Sequence, residues 1–187
     1  MTVYDVGRRV AGWATVFEFT SLSSGPGDCL IASRGGETRW YVHTVEAGSS
    51  VHNVEVGYMV TSSQRSGDNQ SFEMLATSLD DVERFLLGVI GAAVRSAVRP
   101  SAPRLAPLVR IEDLPAPFTY VAAPDDSGRG DLFEDGRFRA RFSSFASPHT
   151  AVRFSQYANA PVPTVAAAFV DPAGAPLFAV HPTELSA

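Results

Sequence analysis

The chain contains no lysine, and all fifteen of its basic residues are arginine. This absence removes the phosphate-binding lysine of a P-loop, the Schiff-base lysine of pyridoxal enzymes and the strand lysine of protein kinases. A GC-rich genome accounts for it without any selection on function, and the exclusions hold in either case. Enzyme classes that depend on such a lysine are therefore excluded.

Cysteine and long apolar runs are also scarce. Cys29 is the only cysteine, which excludes an intramolecular disulfide and fits a reducing compartment. No apolar run approaches the roughly 20 residues of a membrane-spanning helix, and no basic region precedes an apolar stretch at the N-terminus, as it would in a signal peptide. We expect a cytoplasmic protein without a membrane partner.

Acidic residues outnumber basic ones, 20 to 15. The net charge is −5 and the pI is about 5.3, which opposes a nucleic-acid partner because such proteins present a basic surface. An acidic protein suits a partner with a basic cleft, since complementary fields speed encounter. The 45% hydrophobic and 19% charged content is that of an ordinary globular protein.

The first half of the chain predicts a short helix, Tyr4 to Trp13, followed by an antiparallel meander. Gly35-Gly36 provides a two-residue hairpin turn between two of its strands. Strands are expected at Val16–Phe19, Cys29–Ser33, Arg39–Val45, Val54–Ser62 and Phe72–Ala76.

A long amphipathic helix is predicted over Leu79 to Val98, because apolar residues recur there at three- and four-residue steps. Ser78 and Asp81 form a start that resembles a capping box. Asp80 is placed to pair with Arg84 one turn later.

Two glycines inside this helix, Gly88 and Gly91, lower its helix propensity. We interpret them as sites of close packing against the sheet.

The second half begins with a proline-rich extended linker at 100–117, which we expect to pack across the surface. Asp135-Gly136 is a hairpin signal, and a short helix is expected from Val162 to Val170. Strands are expected at Phe118–Ala122, Asp131–Glu134, Arg137–Phe142, Val152–Tyr157 and Leu177–Val180.

Together these patterns predict the α+β class. Two runs of antiparallel strands would flank one long amphipathic helix, with short N- and C-terminal helices. We expect one composite domain, 1–187, made of a strand-rich half (1–99), the linker (100–117) and a second strand-rich half (118–187).

Catalytic and metal-binding patterns are weak. No histidine pair has the spacing of a metal site, and neither a dinucleotide-binding glycine motif nor a nucleophile elbow is present. We expect no metal and no cofactor. Cys29, His43 and Asp28 could still line a pocket, so a small-molecule-binding protein or an unrecognised enzyme remains the alternative function.

Three arginines, Arg137, Arg139 and Arg141, alternate along one predicted strand and share a face. Such a stripe can bind anions or nucleic acid. We favour a solvated sheet face on which Asp131 and Glu134 pair with the arginines, because one strand does not make a basic surface.

The loop at 62–71 is long for a hairpin connection and entirely polar. Arg65, Asp68, Asn69 and Gln70 could enter a partner's cleft as a polar wedge. The same composition also fits a mobile loop tip with no such role.

One segment, Arg-Gly-Gly-Glu-Thr-Arg-Trp-Tyr at Arg34–Tyr41, is the most informative in the chain. Four further segments match the same pattern: Gly7–Trp13, Ser71–Leu79, Glu83–Leu87 and Asp171–Phe178. Together they resemble the actinobacterial immunity proteins that neutralise polymorphic toxins, including mycobacterial immunity factors directed against an NAD-hydrolysing toxin.

This resemblance implies a non-enzymatic cytosolic antitoxin. It would bind a cognate NAD-hydrolysing toxin domain, in a 1:1 complex, and block the NAD-binding site of that domain. Immunity proteins act through the surfaces they present, which favours the polar loop as the contact. The expected toxin-binding residues are Arg65, Ser66, Gly67, Asp68, Asn69 and Gln70.

Overall fold

The computed structural model describes residues 1–25, 28–33, 37–45, 57–64, 69–123, 128–143 and 148–180. The helices within these ranges are α1 (Val3–Trp13), α2 (Leu79–Val98), α3 (His149–Ser155) and α4 (Val162–Val170). The strands are β1 (Thr20–Gly25), β2 (Asp28–Ala32), β3 (Thr38–Val45), β4 (Gly57–Gln64), β5 (Ser71–Ala76), β6 (Leu105–Ala106), β7 (Phe118–Ala122), β8 (Gly130–Glu134), β9 (Arg137–Phe142) and β10 (Ala179–Val180).

Eight of these strands form one antiparallel sheet in the order β1-β2-β3-β4-β5-β9-β8-β7. The two runs of strands meet where β5 pairs with β9, with Met74 opposite Phe142 and Leu75 opposite Arg141. β6 and β10 form a separate two-stranded sheet. The predicted α+β class with one long helix is confirmed.

The helices and one face of the large sheet enclose the hydrophobic core. Side chains alternate along antiparallel strands, so Ile31, Val42, Val60 and Phe142 point inward, and all four are fully buried. They belong to one cluster with apolar residues from all four helices. No helix in the described ranges is both long and apolar enough to cross a membrane.

The two longest helices begin at side-chain caps. Thr2 accepts a hydrogen bond from the Asp5 amide while the Asp5 carboxylate accepts one from the Thr2 amide, which is a complete capping box. At α2, the Ser78 hydroxyl accepts from the Asp81 amide at 3.1 Å, as expected. The predicted Asp80–Arg84 pair is wrong, because Arg84 bonds to the carboxylate of Asp81 instead.

The glycines of α2 allow close packing, as predicted, but they face the segment of α3 and α4 rather than the sheet. A Cβ on Gly88 would lie 1.9 Å from the Tyr157 hydroxyl oxygen, and one on Gly91 would lie 2.4 Å from the Phe169 ring. Tyr157 follows α3 and Phe169 lies in α4. The two glycines therefore set how closely α2 approaches the C-terminal helices.

Two predicted strands are wrong. Val16–Phe19 is replaced by a 3₁₀ helix, Thr15–Phe17, and the first strand begins at Thr20. That turn lets Phe19 pack on Trp40 with a centroid distance of 5.6 Å. Val152–Tyr157 overlaps helix α3, which buries Ala151 and Phe154 on one side by their three-residue spacing. Burial has overridden the strand propensity of valine and aromatic residues there.

The remaining boundaries are close to the predicted ones. The strand expected from Val54 is described from Gly57 to Gln64, and the final strand is limited to Ala179–Val180. The Asp135-Gly136 hairpin is confirmed, since both residues have positive φ (49° and 74°) between β8 and β9. The Gly35-Gly36 turn lies outside the described residues, although β2 and β3 on either side of it pair antiparallel.

The proline-rich linker packs across the surface, as expected. It contains β6 and a 3₁₀ helix, Ile111–Asp113. Its Leu108 amide donates to Gln156 at 2.9 Å, and its Val109 carbonyl lies 2.6 Å from His149 Nδ1. These bonds attach the linker to α3 and the turn after it.

Candidate functional site

A polar cluster lies on the sheet face opposite the described helices. Alternation along β3 places Tyr41 and His43 on this face, because Val42 between them points into the core. Direct cross-strand partners add Asp28 of β2 opposite His43 and Thr61 of β4 opposite Tyr41. Gln70, immediately before β5, completes the cluster.

The cluster is held together by hydrogen bonds around His43. Its Nδ1 lies 3.3 Å from Asp28 Oδ2, and its Nε2 lies 3.3 Å from Gln70 Oε1 and 3.4 Å from Thr61 Oγ1. Thr61 donates to the same Gln70 oxygen at 2.5 Å. The Tyr41 ring stacks on the imidazole with a centroid distance of 6.1 Å and an interplanar angle of 6°. The side chain of Gln70 is thus anchored from two strands.

Cys29 lies on the other face of the sheet, although it follows Asp28 directly. It pairs with Val42 across the strands and is fully buried. A Cβ on Gly7 would lie 2.3 Å from its sulfur, so α1 covers it closely. Burial raises the pKa of the Cys29 thiol, despite a 3.3 Å contact with the Ser21 hydroxyl.

This placement separates the two side chains of the alternative pocket. His43 and Cys29 point to opposite faces of the sheet, so the thiol cannot exchange a proton with the imidazole. A protonated, buried thiol is also a poor nucleophile. Among the described residues, no three His, Cys, Asp or Glu side chains gather in a group that could hold a metal ion.

The predicted toxin-binding loop is described only at its end. Arg65, Ser66, Gly67 and Asp68 lie outside the described residues, whereas Asn69 and Gln70 are exposed. The segment connects β4 to β5, which pair with each other inside the sheet rather than at its edge. The Thr61–Gln70 hydrogen bond therefore fixes one base of this loop on the polar face.

The arginine stripe of β9 pairs with carboxylates, as predicted. Arg141 forms two hydrogen bonds with Asp131, at 2.5 and 2.7 Å, and Arg139 pairs with Glu134. Of the three arginines, Arg137 is exposed, whereas the side chains of Arg139 and Arg141 are only about one-fifth exposed. The predicted pairing with Glu134 and Asp131 is therefore confirmed for Arg139 and Arg141, although both are less solvated than the prediction of a solvated face implied.

Arg139 reaches the helical layer through an irregularity in the strand. The β8–β9 register pairs Leu132 with Ala140 and then Phe133 with Phe138, so Arg139 is the extra residue of a bulge. Its guanidinium bonds to both oxygens of Asp81 at the start of α2, at 2.7 and 2.8 Å. This arrangement is structural, and it removes Arg139 from the candidates for binding a partner.

Comparison with known families decides the class of protein. The model of the family described as Immunity protein 61 matches residues 9–177. This chain belongs to that family. The match spans both strand-rich halves and the linker, so the immunity-protein assignment applies to almost the whole chain.

Curated relatives of this immunity protein include the "Immunity factor for TNT" of Mycobacterium tuberculosis (strain H37Rv) and its homolog in Mycobacterium bovis (strain BCG / Pasteur 1173P2). Each is 26% identical over 159 residues, which cover 81% of this chain and 78% of the relative. The solved structure of Rv3902c from M. tuberculosis superimposes with a TM-score of 0.73 over 92% of each chain. At 21% identity, that last likeness shows the fold alone.

Sequence reasoning found part of the polar cluster. The sequence singles out His43 with Asp28 in the pocket hypothesis and Gln70 in the loop hypothesis, but it does not single out Tyr41 or Thr61. The alternation of side chains between the two faces of a strand could have grouped these residues. It places Tyr41, His43 and Thr61 on one face once the β3–β4 register is known.

Proposed function

We propose that this immunity protein is a cytoplasmic antitoxin that binds one cognate NAD-hydrolysing toxin domain and covers its NAD-binding site. Membership of the Immunity protein 61 family is the observation that carries the proposal. The printed names of the curated relatives, which refer to immunity against TNT, support it. The resemblance to factors directed against an NAD-hydrolysing toxin supplies the substrate class.

The loop Arg65–Gln70 is the proposed contact. A pocket that accepts the phosphates and riboses of NAD must offer cationic and hydrogen-bond-donating groups. The carboxylate of Asp68 would take the place of a phosphate, and the amides of Asn69 and Gln70 the places of ribose hydroxyls. Gly67 would let the backbone approach closely.

The polar cluster supports this choice of surface. Gln70 is exposed, yet its amide oxygen is held by Thr61 at 2.5 Å. A group that is anchored before binding loses less conformational entropy on association than a free one. Residues 69–70 therefore hold the end of the loop in a defined position, on the sheet face that carries no described helix.

An inhibitor of this kind needs no catalytic group of its own. The one thiol is buried with a raised pKa, and the imidazole nearest to it in the chain belongs to a hydrogen-bonded cluster on the opposite face. These placements favour a binding protein over the alternative of an enzyme with a Cys29–His43 site.

The test uses a toxin domain from the same genome as this chain, purified and shown to hydrolyse NAD. Asp68→Ala with Asn69→Ala should weaken its binding by about 2 kcal/mol or more, mostly through faster dissociation, if these side chains sit at the buried centre. The matched control is Glu112→Ala with Asp113→Ala, two exposed polar residues of the linker, and it should bind like the wild type. Equal affinity of both double variants would remove the loop from the interface.

A further inference from the structure

A cleft of about 340 Å³ opens between α2, α3, α4 and the linker. It shares no residue with the polar cluster or with the Arg65–Gln70 loop. Its floor is formed by the aromatic rings of Tyr157, Phe169 and Phe178, whose centroids lie 4.7 to 6.1 Å apart. The volume lies within the range of small-molecule sites, roughly 300–1,000 Å³.

The charge of this cleft is opposite to that of the whole protein. Three arginines line it, Arg95, Arg104 and Arg153, and its described lining contains no aspartate or glutamate. The chain as a whole carries a net charge of −5. A concentration of positive charge in a concave, partly apolar site attracts anions, because low-dielectric walls focus the field.

Arg95 supplies a buried charge rather than free donors. It is 4% exposed, and its guanidinium donates to the carbonyls of Pro103, Phe169, Asp171 and Pro172. Its five N–H groups are thereby used. No carboxylate in the described part of the chain bonds to it, so carbonyl dipoles alone compensate its charge.

Arg104 and Arg153 are the donors available to a ligand. Both are exposed at the cleft. Within the described ranges neither guanidinium forms a hydrogen bond or an ion pair, unlike Arg84, Arg139 and Arg141 of the same protein. Guanidinium groups of this kind bind carboxylate, phosphate or sulfonate through paired N–H donors.

We propose that this cleft binds a small amphiphilic anion, in which an aromatic or aliphatic body lies on the Tyr157–Phe169–Phe178 floor and an acidic group meets Arg104 and Arg153. The site is additional to the proposed toxin contact, and it does not depend on that contact.

The test uses two fluorescent probes that share an apolar body. Anilinonaphthalene sulfonate carries an acidic group, and N-phenylnaphthylamine does not. The wild-type protein should bind one sulfonate probe per chain with saturation. Arg104→Gln with Arg153→Gln should weaken that binding at least about tenfold and leave the neutral probe unaffected, because only the anion needs the guanidinium groups.

Two further variants make the result specific. Arg8→Gln with Arg137→Gln removes the same charge from exposed arginines outside the cleft, and it should change binding of the sulfonate probe less than about twofold. Ala92→Phe adds a ring at an exposed lining position of α2, and it should reduce binding of both probes. An unchanged melting temperature shows that each variant is folded.

Three results would overturn the proposal. The first is the absence of saturable one-to-one binding of the sulfonate probe to the wild type. The second is an equal loss of affinity for the sulfonate probe in the Arg104→Gln/Arg153→Gln and Arg8→Gln/Arg137→Gln variants, which would assign the binding to net charge alone. The third is full binding by the folded Ala92→Phe variant, which would place the probe elsewhere.

Discussion

Arg139 of β9 binds both carboxylate oxygens of Asp81 at the first turn of α2, with Nε–Oδ2 at 2.7 Å and Nη2–Oδ1 at 2.8 Å. The two residues are 58 positions apart, and the pair joins the second run of strands to the central helix. Asp81 is 1% exposed, so its charge depends on Arg139 and on Arg84, which binds it at 3.0 Å. The hydrogen bond to Asp81 raises the pKa of Arg139 further above its ordinary value, so the guanidinium stays protonated.

We predict that Arg139→Gln destabilises the fold. The buried Asp81 would then keep only Arg84 as its charged partner, and weakening a buried pair in this way costs up to about 3 kcal/mol. The control is Arg137→Gln on the same strand, which is exposed and should stay within about 0.5 kcal/mol of the wild type. Urea unfolding measures both values. Equal stability of the two variants would show that the Arg139–Asp81 pair contributes nothing to the free energy of unfolding.

A second prediction concerns the glycines of α2. Alanine normally favours a helix over glycine by about 1 kcal/mol, but a Cβ at Gly88 or Gly91 would overlap Tyr157 or Phe169. We expect Gly88→Ala and Gly91→Ala to lower the free energy of unfolding by about 1–3 kcal/mol, because packed helices must separate.

The matched control for this series is Gly12→Ala in α1. Gly12 is exposed, and nothing lies within 4 Å of a Cβ built on it, so the same substitution should stabilise the protein by up to about 1 kcal/mol. Stabilisation by all three alanines would show that α2 does not pack closely on the C-terminal helices.

The third prediction is that Cys29 is unreactive in the native protein. Its thiol is buried under α1, and its pKa is raised by burial, so the thiolate is scarce at neutral pH. Labelling with a thiol-reactive disulfide reagent should be slow at pH 7 and become complete only in denaturant. Raising the pH to about 8.5, the ordinary pKa of a thiol, should leave native labelling slow. Rapid labelling of folded protein would reopen the nucleophile hypothesis.

The fourth prediction concerns the anchor of the proposed loop. Thr61→Val keeps the shape of a β-branched residue but removes the donor to Gln70. We expect weaker binding to the toxin domain, by about 1 kcal/mol, since residues 69–70 must then be ordered on association. Tyr58→Phe, a change on the same strand at a residue packed against the core, provides the control. Unchanged affinity of Thr61→Val would separate the polar cluster from toxin binding.

Local patterns in the sequence were sufficient for most of the elements. The apolar stripe of α2 repeats at helical spacing over five turns, so both of its predicted ends, Leu79 and Val98, are confirmed. Alternation of apolar and polar residues likewise predicted strands β3 and β9. These elements are set by residues within one segment, which a sequence displays directly.

The errors arose where distant residues decide the structure. Val152 and Phe154 have strand propensity, but both are fully buried in a helix, where Phe154 packs on the distant Phe142. The β5–β9 pairing joins strands that are more than 60 residues apart in the chain. The bulge at Arg139 lies within the β8–β9 hairpin, but it serves a contact with Asp81, 58 positions away, and no local signal marks it. The candidate site shows the same limit. The sequence identifies His43 and Gln70 as candidates, but it does not predict the contact between them, because they are 27 residues apart.

The measurement that bears most directly on the antitoxin account is a titration of NAD hydrolysis. Wild-type protein is added to a fixed amount of the toxin domain from the same genome, and residual activity is followed at increasing NAD concentration. Occlusion of the NAD-binding site predicts that activity falls to zero at one molecule per toxin domain, and that excess NAD slows inhibition because both compete for one site. Undiminished hydrolysis at a molar excess of folded protein would contradict it, as would NAD hydrolysis by the immunity protein alone.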